Sequence, residues 1–473
     1  MIRPKIERAL LVCTVFAAAC THNAATPANT PSTSSPTSSP AQSSPPPATP
    51  TSTASPQGDP ADWPTYHHDA LRTAVAGDQA KARTIKPAWT SNALDADVYA
   101  QPLVVGDRVY VATEANSVYA LDASTGKTVW QRALGAPVPG TSLPCGNIDP
   151  SGITGTPVID TTANALYVVA FLRSGPHHEL YALDLDGGGI TWHRAIDPPR
   201  LSPRVEQERG ALALANGRVY VPFGGLQGDC GSYKGAVVSS PLDGKGALQS
   251  YVVPAAREGG IWNPGGPVAD PGGDVWVTTG NSASRGSFNY GNAVIRLTSA
   301  LTVRDYFAPS NWESLNRTDT DLGSVSPVLV SGARAFIVGK AGIGYLLNRN
   351  QLGNIGGQVI SRGLCSRAFG SAAWLDGRIY VTCEDALVAI RIANDNISVL
   401  WRDDTAAGPS IIAAGLVWSI RYNGTLTASS PTGGNVVFHV RLPGHVSRFA
   451  SPSAANGRLF APAGNKIVAF ALR

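Results

Sequence analysis

The chain has 473 residues, of which 15% are charged, and its formal net charge is +4. A charge this small and this evenly spread argues against nucleic acid or an acidic membrane surface as a binding partner. The length is sufficient for a large hydrophobic core.

The first 19 residues predict a secretion signal. Arg3, Lys5 and Arg8 precede an apolar run over residues 9–19, which is too short to span a bilayer but suits the core of an export signal. The Ala-Ala-Ala-Cys sequence that ends at Cys20 resembles the cleavage site of bacterial lipoproteins, so Cys20 is predicted to be lipidated. An ordinary signal peptide cleaved nearby is the alternative. We expect an exported protein that is lipid-anchored to the outer face of the cell membrane.

Residues 20–58 are predicted to form a disordered tether between the lipid and the folded domain. Pro, Ser and Thr dominate this segment, and it contains no Lys, Arg, Asp or Glu. Such a composition cannot bury enough apolar surface to fold. The folded domain is therefore expected to occupy residues 59–473.

A repeated pattern begins at residues 118–130, with a hydrophobic strand, a turn built on Thr-Gly, and a second strand that ends at Trp130. It recurs at residues 179–192, where it ends at Trp192. Weaker copies lie at residues 235–253, 292–307, 343–359, 386–401, 424–440 and 466–472. A fixed internal repeat predicts a repeat architecture rather than an irregular domain.

Each copy is preceded by a predicted hairpin, such as residues 102–112 with their Gly-Asp turn. Hairpin and repeat together give four antiparallel strands, and the eight copies predict an all-β, eight-bladed β-propeller. The last copy supplies only three strands, so residues 85–89, which end at Trp89, are predicted to add the fourth and to close the ring. A β-solenoid, the alternative architecture, would require shorter and more uniform repeats.

Four cysteines lie in the predicted propeller, and an even number in an exported chain indicates disulfides. The blade assignment places Cys365 beside Cys383 in the sixth blade, and by elimination Cys145 pairs with Cys230. The chain contains no Cys-X-X-Cys motif that would indicate a zinc site or an attached haem.

In a four-stranded blade, the loop that leads into the first strand and the loop that follows the second strand emerge on the same face. We call these the leading loop and the second-strand loop. They gather polar residues at one mouth of the central channel, which predicts a ligand site there, although a merely solvated rim is the alternative. The predicted set is Gln101, Glu114, Cys145, Arg209, Asp229, Cys230, Trp262, Asn281, Asp319, Asp321, Lys340, Arg367, Glu384, Arg421 and Arg448.

Residues 259–281 and 336–347 resemble segments of the quinoprotein alcohol dehydrogenases, which hold pyrroloquinoline quinone (PQQ) in an eight-bladed propeller. The resemblance implies that Trp262 stacks on the quinone and that Lys340 contacts its oxygens. It implies calcium ligation by Asn281 and, less closely matched, by Asp229. It also implies a catalytic base at either Asp319 or Asp321, between which the sequence does not decide.

The dehydrogenases cover the quinone with a disulfide between adjacent cysteines, and this chain has no Cys-Cys pair. Many proteins with these repeats bind no quinone, including the propeller lipoprotein of the outer-membrane barrel-assembly machinery. The sequence therefore favours a non-catalytic, monomeric binding or scaffolding module, with an envelope protein or a small molecule at its channel mouth. The alternative is a PQQ- and calcium-dependent dehydrogenase that oxidises an alcohol or a sugar.

Two pairs of adjacent histidines, His67-His68 and His177-His178, complete the candidate residues. Neither pair has a third metal ligand at a useful spacing in the sequence. The expectation is that they are exposed loop histidines.

Overall fold

The computed structural model describes residues 61–77, 80–330 and 332–473. The predicted leader at residues 1–19, the lipidation site Cys20 and the tether at residues 20–58 lie outside this range. Across the part of the chain that is described, no helix is both long enough and apolar enough to cross a bilayer.

Eight antiparallel sheets form the blades of a β-propeller, as the repeats predicted. Blade 1 contains β2 (Leu103–Val105), β3 (Arg108–Ala112), β4 (Ser117–Asp122) and β5 (Thr128–Ala133). Blade 2 contains β6 (Val158–Asp160), β7 (Ala165–Leu172), β8 (His177–Asp184) and β9 (Ile190–Ala195). Blade 3 contains β10 (Glu206–Gln207), β11 (Ala213–Ala215), β12 (Arg218–Gly225), β13 (Ala236–Pro241) and β14 (Gln249–Val252). Blade 4 contains β15 (Val268–Ala269), β16 (Val275–Thr278), β17 (Val294–Leu297) and β18 (Val303–Ala308).

Blade 5 contains β19 (Arg334–Val338), β20 (Ile343–Asn348) and β22 (Ile360–Gly363), while β21 (Asn354–Ile355) pairs with β18 of blade 4. The innermost strand of blade 5 is reduced to a single bridge between Val328 and Phe336. Blade 6 contains β23 (Ala373–Leu375), β24 (Arg378–Thr382), β25 (Leu387–Ala393) and β26 (Asn396–Asp403). Blade 7 contains β27 (Ile411–Ala413), β28 (Leu416–Ile420), β29 (Thr425–Ser429) and β30 (Val436–Arg441). The helix α1 (Trp312–Arg317) and two single 3₁₀ turns, Gly140–Ser142 and Leu322–Ser324, lie in loops.

Blade 8 contains β31 (Ser453–Ala455), β32 (Arg458–Pro462), β33 (Ile467–Leu472) and, as its outer strand, β1 (Ile85–Thr90). β1 pairs antiparallel with β33, with Ile85 opposite Leu472. The predicted closure of the ring is therefore present, and it leaves blade 8 with the same number of strands as its neighbours.

Burial follows strand position within a blade. β4 and β8 are buried on both faces because neighbouring blades pack against each side, whereas the outer strands β5 and β9 alternate exposed and half-buried residues. The innermost strands carry small or medium-sized apolar residues, such as the Ala-Leu-Ala of β11, and these suit the crowded centre of the ring. The hydrophobic core consequently lies between the blades, and the loops at the two faces are free to carry polar residues.

The tryptophans that end the repeats join one blade to the next. Trp130 on β5 donates its indole N–H to the carbonyl of Leu185 at 3.0 Å, and its ring packs on Gly188 in the last turn of blade 2. A Cβ atom at Gly188 would lie 2.6 Å from this ring, so only glycine fits. Equivalent contacts join Trp89 to Gly126, Trp192 to Gly244 and Trp401 to Gly434.

The segment at residues 61–77 fills the central channel, a feature that the sequence analysis did not predict. Its backbone makes hydrogen bonds or bridges to the innermost strands of blades 1, 2, 4, 6 and 7. Arg72 is 2% exposed, and its guanidinium donates to the carbonyls of Leu212 and Pro267 at 2.8 and 3.2 Å. Burial lowers the pKa of Arg72 to about 10. The predicted mouth is thus the rim of a closed bowl and not an opening into a through-channel.

Gln101 belongs to this plug and not to a ligand site. Its side chain accepts from the indole of Trp63 at 3.1 Å and from the backbone N–H of His67 at 2.8 Å, and it donates to Ser451 at 2.9 Å. His67 is fully buried, and its burial lowers its pKa to about 3. The expectation of exposed loop histidines is wrong for His67, because the segment that carries it lies inside the ring.

Candidate functional site

The leading and second-strand loops meet on one face of the ring, as the blade topology requires. Within single blades, the N–H of Lys340 donates to the carbonyl of Asp321 at 2.7 Å, and the N–H of Glu384 donates to the carbonyl of Arg367 at 2.8 Å. The rim of the bowl is therefore built from pairs of loops, and in these two blades a backbone hydrogen bond joins the leading loop to the second-strand loop.

Lys340 and Asp321 form the centre of the site, in the two loops of blade 5. Lys340 Nζ lies 2.5 Å from Asp321 Oδ2 and 3.0 Å from Asp319 Oδ1. The side chain of Asp321 is 4% exposed and that of Asp319 is 62% exposed, so the structure separates the two candidate bases. Asp321 lies inside the bowl, whereas Asp319 lies at its rim.

Electrostatics at this pair reflect burial and ion pairing. Burial raises the pKa of Asp321, although the charge of Lys340 partly opposes the shift. Burial alone would lower the pKa of Lys340, but ion pairing with Asp321 and Asp319 outweighs it and raises that pKa. The backbone N–H of Asn281 donates to Asp321 Oδ1 at 2.5 Å and fixes the orientation of the carboxylate. A buried carboxylate with an elevated proton affinity suits a general base.

Trp262 and Asn281 lie beside this pair, in the two loops of blade 4. Lys340 Nζ is 5.5 Å from the centroid of the Trp262 ring. Gly280 separates the indole from the carboxylate, because a Cβ there would lie 3.1 Å from Trp262 Nε1 and 2.7 Å from Asp321 Oδ1. The structure thus brings together four residues that the resemblance singled out.

Phe449 reaches this group from the leading loop of blade 8, on the opposite side of the ring. Its ring makes a T-shaped contact with Trp262 at a centroid distance of 6.2 Å, and the guanidinium carbon of Arg209 lies 4.3 Å from the Phe449 centroid. Arg448 stacks similarly over Phe369, at 5.1 Å. Blades 4 and 8 face each other across the bowl, so Phe449 lies close to the ring axis and covers the floor next to Trp262.

Buried glutamates line the side of the bowl formed by blades 1 to 3. Glu114 Oε2 accepts from the backbone N–H of Gly152 at 2.7 Å, whereas Oε1 has no hydrogen-bond partner. Burial raises the pKa of Glu114 to about 7. Burial, reinforced by the charge of Glu114, raises the pKa of Glu208 well above its usual value. Burial lowers the pKa of the neighbouring Arg209 to about 10, although the charges of Tyr99 and Glu114 oppose that shift.

Both predicted disulfides are present on this face. Cys145 is bonded to Cys230, with Cα atoms 6.1 Å apart, and Cys365 is bonded to Cys383, with Cα atoms 6.3 Å apart. Cys365, Cys383 and Asp385 form the one group of three His, Cys, Asp or Glu residues with ligand atoms mutually within 4.8 Å in the described chain. The cysteines of this group are oxidised, so they do not offer thiolates to a metal.

The donors for calcium fit in kind but are not gathered into a carboxylate cluster. Asp229 accepts from the hydroxyl of Tyr233 at 2.6 Å. Burial raises the pKa of Glu258, and the negative charges of Asp229 and Asp321 raise it further. The carboxylates of Asp229 and Asp321 therefore lie near Glu258. Asp229, Asn281 and Asp321 thus offer the oxygen ligands that calcium prefers. The indole of Trp262 and the cations Lys340 and Arg209 suit a planar anionic ligand such as PQQ in their chemistry. Phe449 lies against Trp262 and under Arg209, so it must move before such a ligand can stack on the indole.

Sequence reasoning missed Phe449 and Glu208. Both lie in leading loops, and their positions next to Arg448 and Arg209 were the available signals. His178 was expected in an exposed loop but lies in β8, where it is 1% exposed and its Nδ1 is 2.7 Å from Asp197 Oδ1.

Comparison with known proteins finds similarity to the BamB family and to dehydrogenases. A model of the family described as outer membrane protein assembly factor BamB matches residues 72–300. The polyvinylalcohol dehydrogenase of Sphingopyxis sp. (strain 113P3) is 24% identical over 365 residues, which cover 65% of this chain and 51% of that protein. The polyvinylalcohol dehydrogenase of a Pseudomonas species is 30% identical over 210 residues, which cover 38% of this chain and 29% of that protein. The chain thus spans about half the length of the first relative and less of the second.

Solved structures of both groups share the fold. The quinohemoprotein alcohol dehydrogenase ADHIIG of Pseudomonas putida HK5 superposes with a TM-score of 0.68 at 13% identity, covering 88% of this chain and 80% of the other. BamB of Moraxella catarrhalis superposes with a TM-score of 0.55 at 14% identity, covering 82% of this chain and 98% of the other. At these identities the superpositions establish the fold alone. With its eight blades and these matches, the chain is an eight-bladed β-propeller that is similar both to BamB and to the quinoprotein alcohol dehydrogenases.

Proposed function

We propose that this chain is a quinoprotein dehydrogenase that oxidises an alcohol, with Asp321 as its general base. The observation that carries the proposal is the buried Lys340–Asp321 ion pair beside Trp262, held at 2.5 Å on the floor of the bowl. A scaffold does not require a buried carboxylate that pairs with a lysine under an indole ring. The names of the two curated relatives support the same reaction class.

The residues present would hold PQQ against Trp262, with Lys340 and Arg209 facing its oxygens and carboxylates, and calcium at Asn281 and Asp229. Bound there, the quinone would accept the two electrons that the alcohol loses, and calcium would polarise its carbonyl. Asp321 takes the hydroxyl proton of the substrate, because its carboxylate is buried and has a raised pKa. The charge of Lys340 favours the ionised form of Asp321 and partly offsets the effect of burial on its pKa.

For the substrate class, the support comes from the names of the two dehydrogenase relatives. We propose a neutral alcohol, and polyvinyl alcohol and small secondary alcohols are the first compounds to test. The electrons must leave through a separate one- or two-electron acceptor, for which an artificial redox dye serves in the assay.

The experiment is a titration of the full-length chain with PQQ, with and without calcium, followed by calorimetry and tryptophan fluorescence. The proposal expects calcium-dependent binding that Trp262→Ala abolishes, and dye reduction by an alcohol. Asp321→Asn should abolish turnover but retain PQQ binding, and Asp319→Asn is the matched control that should keep most of the activity. Wild-type protein that binds no PQQ at saturating calcium would overturn the proposal.

A scaffolding role, which the sequence alone favoured, is the second candidate. The match to the BamB family and the position of Phe449 against Trp262 favour it, because a closed floor leaves the rim as the contact surface. In that case an envelope protein would bind the rim, and Arg448→Glu would weaken the complex while PQQ had no effect on it.

Either function is proposed to operate outside the cell, from a chain lipid-anchored at Cys20 and monomeric in its folded part. Metabolic labelling with a radioactive fatty acid tests the anchor. Wild-type protein should incorporate label and partition with membranes, whereas Cys20→Ala should do neither. Equal labelling of the two proteins would contradict the assignment of Cys20.

A further inference from the structure

A cavity lies between blades 4 and 5, on the face of the ring opposite the bowl. Asp270 is in the turn between β15 and β16, and Arg349 and Asn350 follow β20, so all three belong to turns that emerge away from the leading and second-strand loops. The cavity measures about 280 Å³, which is near the lower end of the range for small-molecule sites. Its walls include these three residues together with Trp276 and Arg296.

Two guanidiniums lie against the buried indole of Trp276 in this cavity. The guanidinium carbons of Arg296 and Arg349 are 5.4 and 6.0 Å from the centroid of the Trp276 ring. Each of the two arginine side chains is 22% exposed, so both cations are largely withdrawn from water. An anion that enters the cavity is therefore attracted more strongly than it would be by freely exposed arginines.

The charged side chains around the cavity do not balance. Asp274 pairs with both Arg296 and Arg304, at 2.6 and 3.1 Å. Asp270 is the other carboxylate of the group, and it lies 3.6 Å from Arg349. Three guanidiniums therefore share two carboxylates, which leaves one positive charge in excess within this group.

Asp270 is held by its own turn and does not hydrogen-bond to Arg349. Its Oδ1 accepts from the N–H groups of Gly272 and Asp274 at 2.8 and 3.1 Å, and its Oδ2 accepts from the indole N–H of Trp276 at 2.9 Å. Arg349 Nη2 lies 3.6 Å from the same Oδ2, beyond hydrogen-bond distance. Among the residues that the structure describes, the guanidinium of Arg349 has no hydrogen-bond acceptor, so its donors are available to a ligand in the cavity.

We propose that this cavity binds the oxyanion group, a carboxylate or a phosphate, of a small organic molecule. The planar guanidinium of Arg349 can donate to two oxygens of either group. Arg296 uses Nε on Asp274 and Nη1 on the backbone carbonyl of Arg349, at 2.6 and 3.0 Å, which leaves Nη2 for the same ligand. The side-chain amide of Asn350 supplies a neutral donor and acceptor at the exposed edge of the cavity. This site does not depend on the proposed dehydrogenase function.

Arg304 provides a matched control for the loss of positive charge. It pairs with Asp274 as Arg296 does, but its side chain is 52% exposed and is not among those that line the cavity. Arg304→Gln and Arg349→Gln remove the same charge, so the lost cavity contact is what distinguishes them. Asn350→Asp is a second test variant, because it keeps both cavity arginines and adds a negative charge at an exposed turn residue.

The test is a calorimetric titration of the full-length chain with inorganic phosphate and, separately, with succinate, at constant ionic strength. At least one of the two anions should bind the wild type. Arg349→Gln should weaken that binding about tenfold or more, because it removes charge-assisted hydrogen bonds. Asn350→Asp should also weaken the binding, and Arg304→Gln should leave it nearly unchanged. Stronger binding of phosphate would indicate a phosphate-bearing ligand, and stronger binding of succinate would indicate a carboxylate.

Two results would refute the assignment. One is wild-type protein that binds neither anion. The other is equal affinity in the wild type and in Arg349→Gln, because the anion would then be held elsewhere, for example at Arg209 in the bowl. If circular dichroism shows that Arg349→Gln does not fold, equal affinity in the wild type and in Asn350→Asp refutes the assignment instead.

Discussion

Replacing Lys340 by methionine should destabilise the protein far more than the loss of an exposed ion pair. The substitution leaves the carboxylate of Asp321, 4% exposed, with the backbone N–H of Asn281 as its remaining hydrogen-bond donor among the contacts described. Removing one partner of a buried ion pair costs about 3–5 kcal/mol, because it leaves an uncompensated charge in a medium of low polarity. Asp321→Asn should cost less, because Lys340 retains Asp319 at 3.0 Å.

The assay is urea unfolding of the full-length chain at pH 7, followed by tryptophan fluorescence and circular dichroism. Arg334→Met is the control within the same blade, since the Arg334–Asp395 pair is exposed, with side chains 28% and 51% accessible. Breaking it should cost at most about 1 kcal/mol. The double variant Lys340→Met/Asp321→Asn should recover most of the stability lost in Lys340→Met, because neither charge remains. A cost for Lys340→Met no larger than that for Arg334→Met would refute the reasoning.

Three further predictions concern the rest of the ring. The native pKa of Glu114, about 7, lies above the ordinary 4.5, so stability should be greatest at acidic pH and fall by about 3 kcal/mol as the pH rises between these values. Unfolding curves from pH 5 to 8 should show this slope, and Glu114→Gln should reduce it without removing it, because the pKa of Glu208 is also raised. Opening the Cys145–Cys230 disulfide, whose cysteines are 85 residues apart, should cost about 4 kcal/mol in a Cys145→Ser/Cys230→Ser variant measured by urea unfolding. Gly188→Ala should lower the thermal midpoint clearly more than Gly106→Ala, because both have positive φ but only Gly188 meets an indole ring.

The sequence predicted the features that repeat. Each Thr-Gly turn and each alternating hairpin is encoded within a few residues, so the eight blades and the closing strand could be read from local patterns. The disulfides followed because blade topology places their loops together. The same topology also placed Trp262, Asn281, Asp321 and Lys340 on one face before their distances were known.

Contacts between distant parts of the ring could not be predicted from these local sequence patterns. The segment at residues 61–77 follows neither the strand period nor the repeat, because its backbone pairs in turn with the innermost strands of five separate blades. Phe449 contacts Trp262 only because two opposite leading loops converge on the axis.

The strand that closes the ring also determines how the propeller can misassemble. β1 pairs with β33, so the two partners are separated by nearly the whole folded chain, and the loop that they close is the largest in the domain. Until they meet, β33 is an open edge strand that any free β1 can complete. A second molecule offers the same β1, and at high concentration its strand competes with the intramolecular one. We therefore expect refolding at high concentration to exchange β1 between some chains, which would give linked dimers of otherwise native propellers.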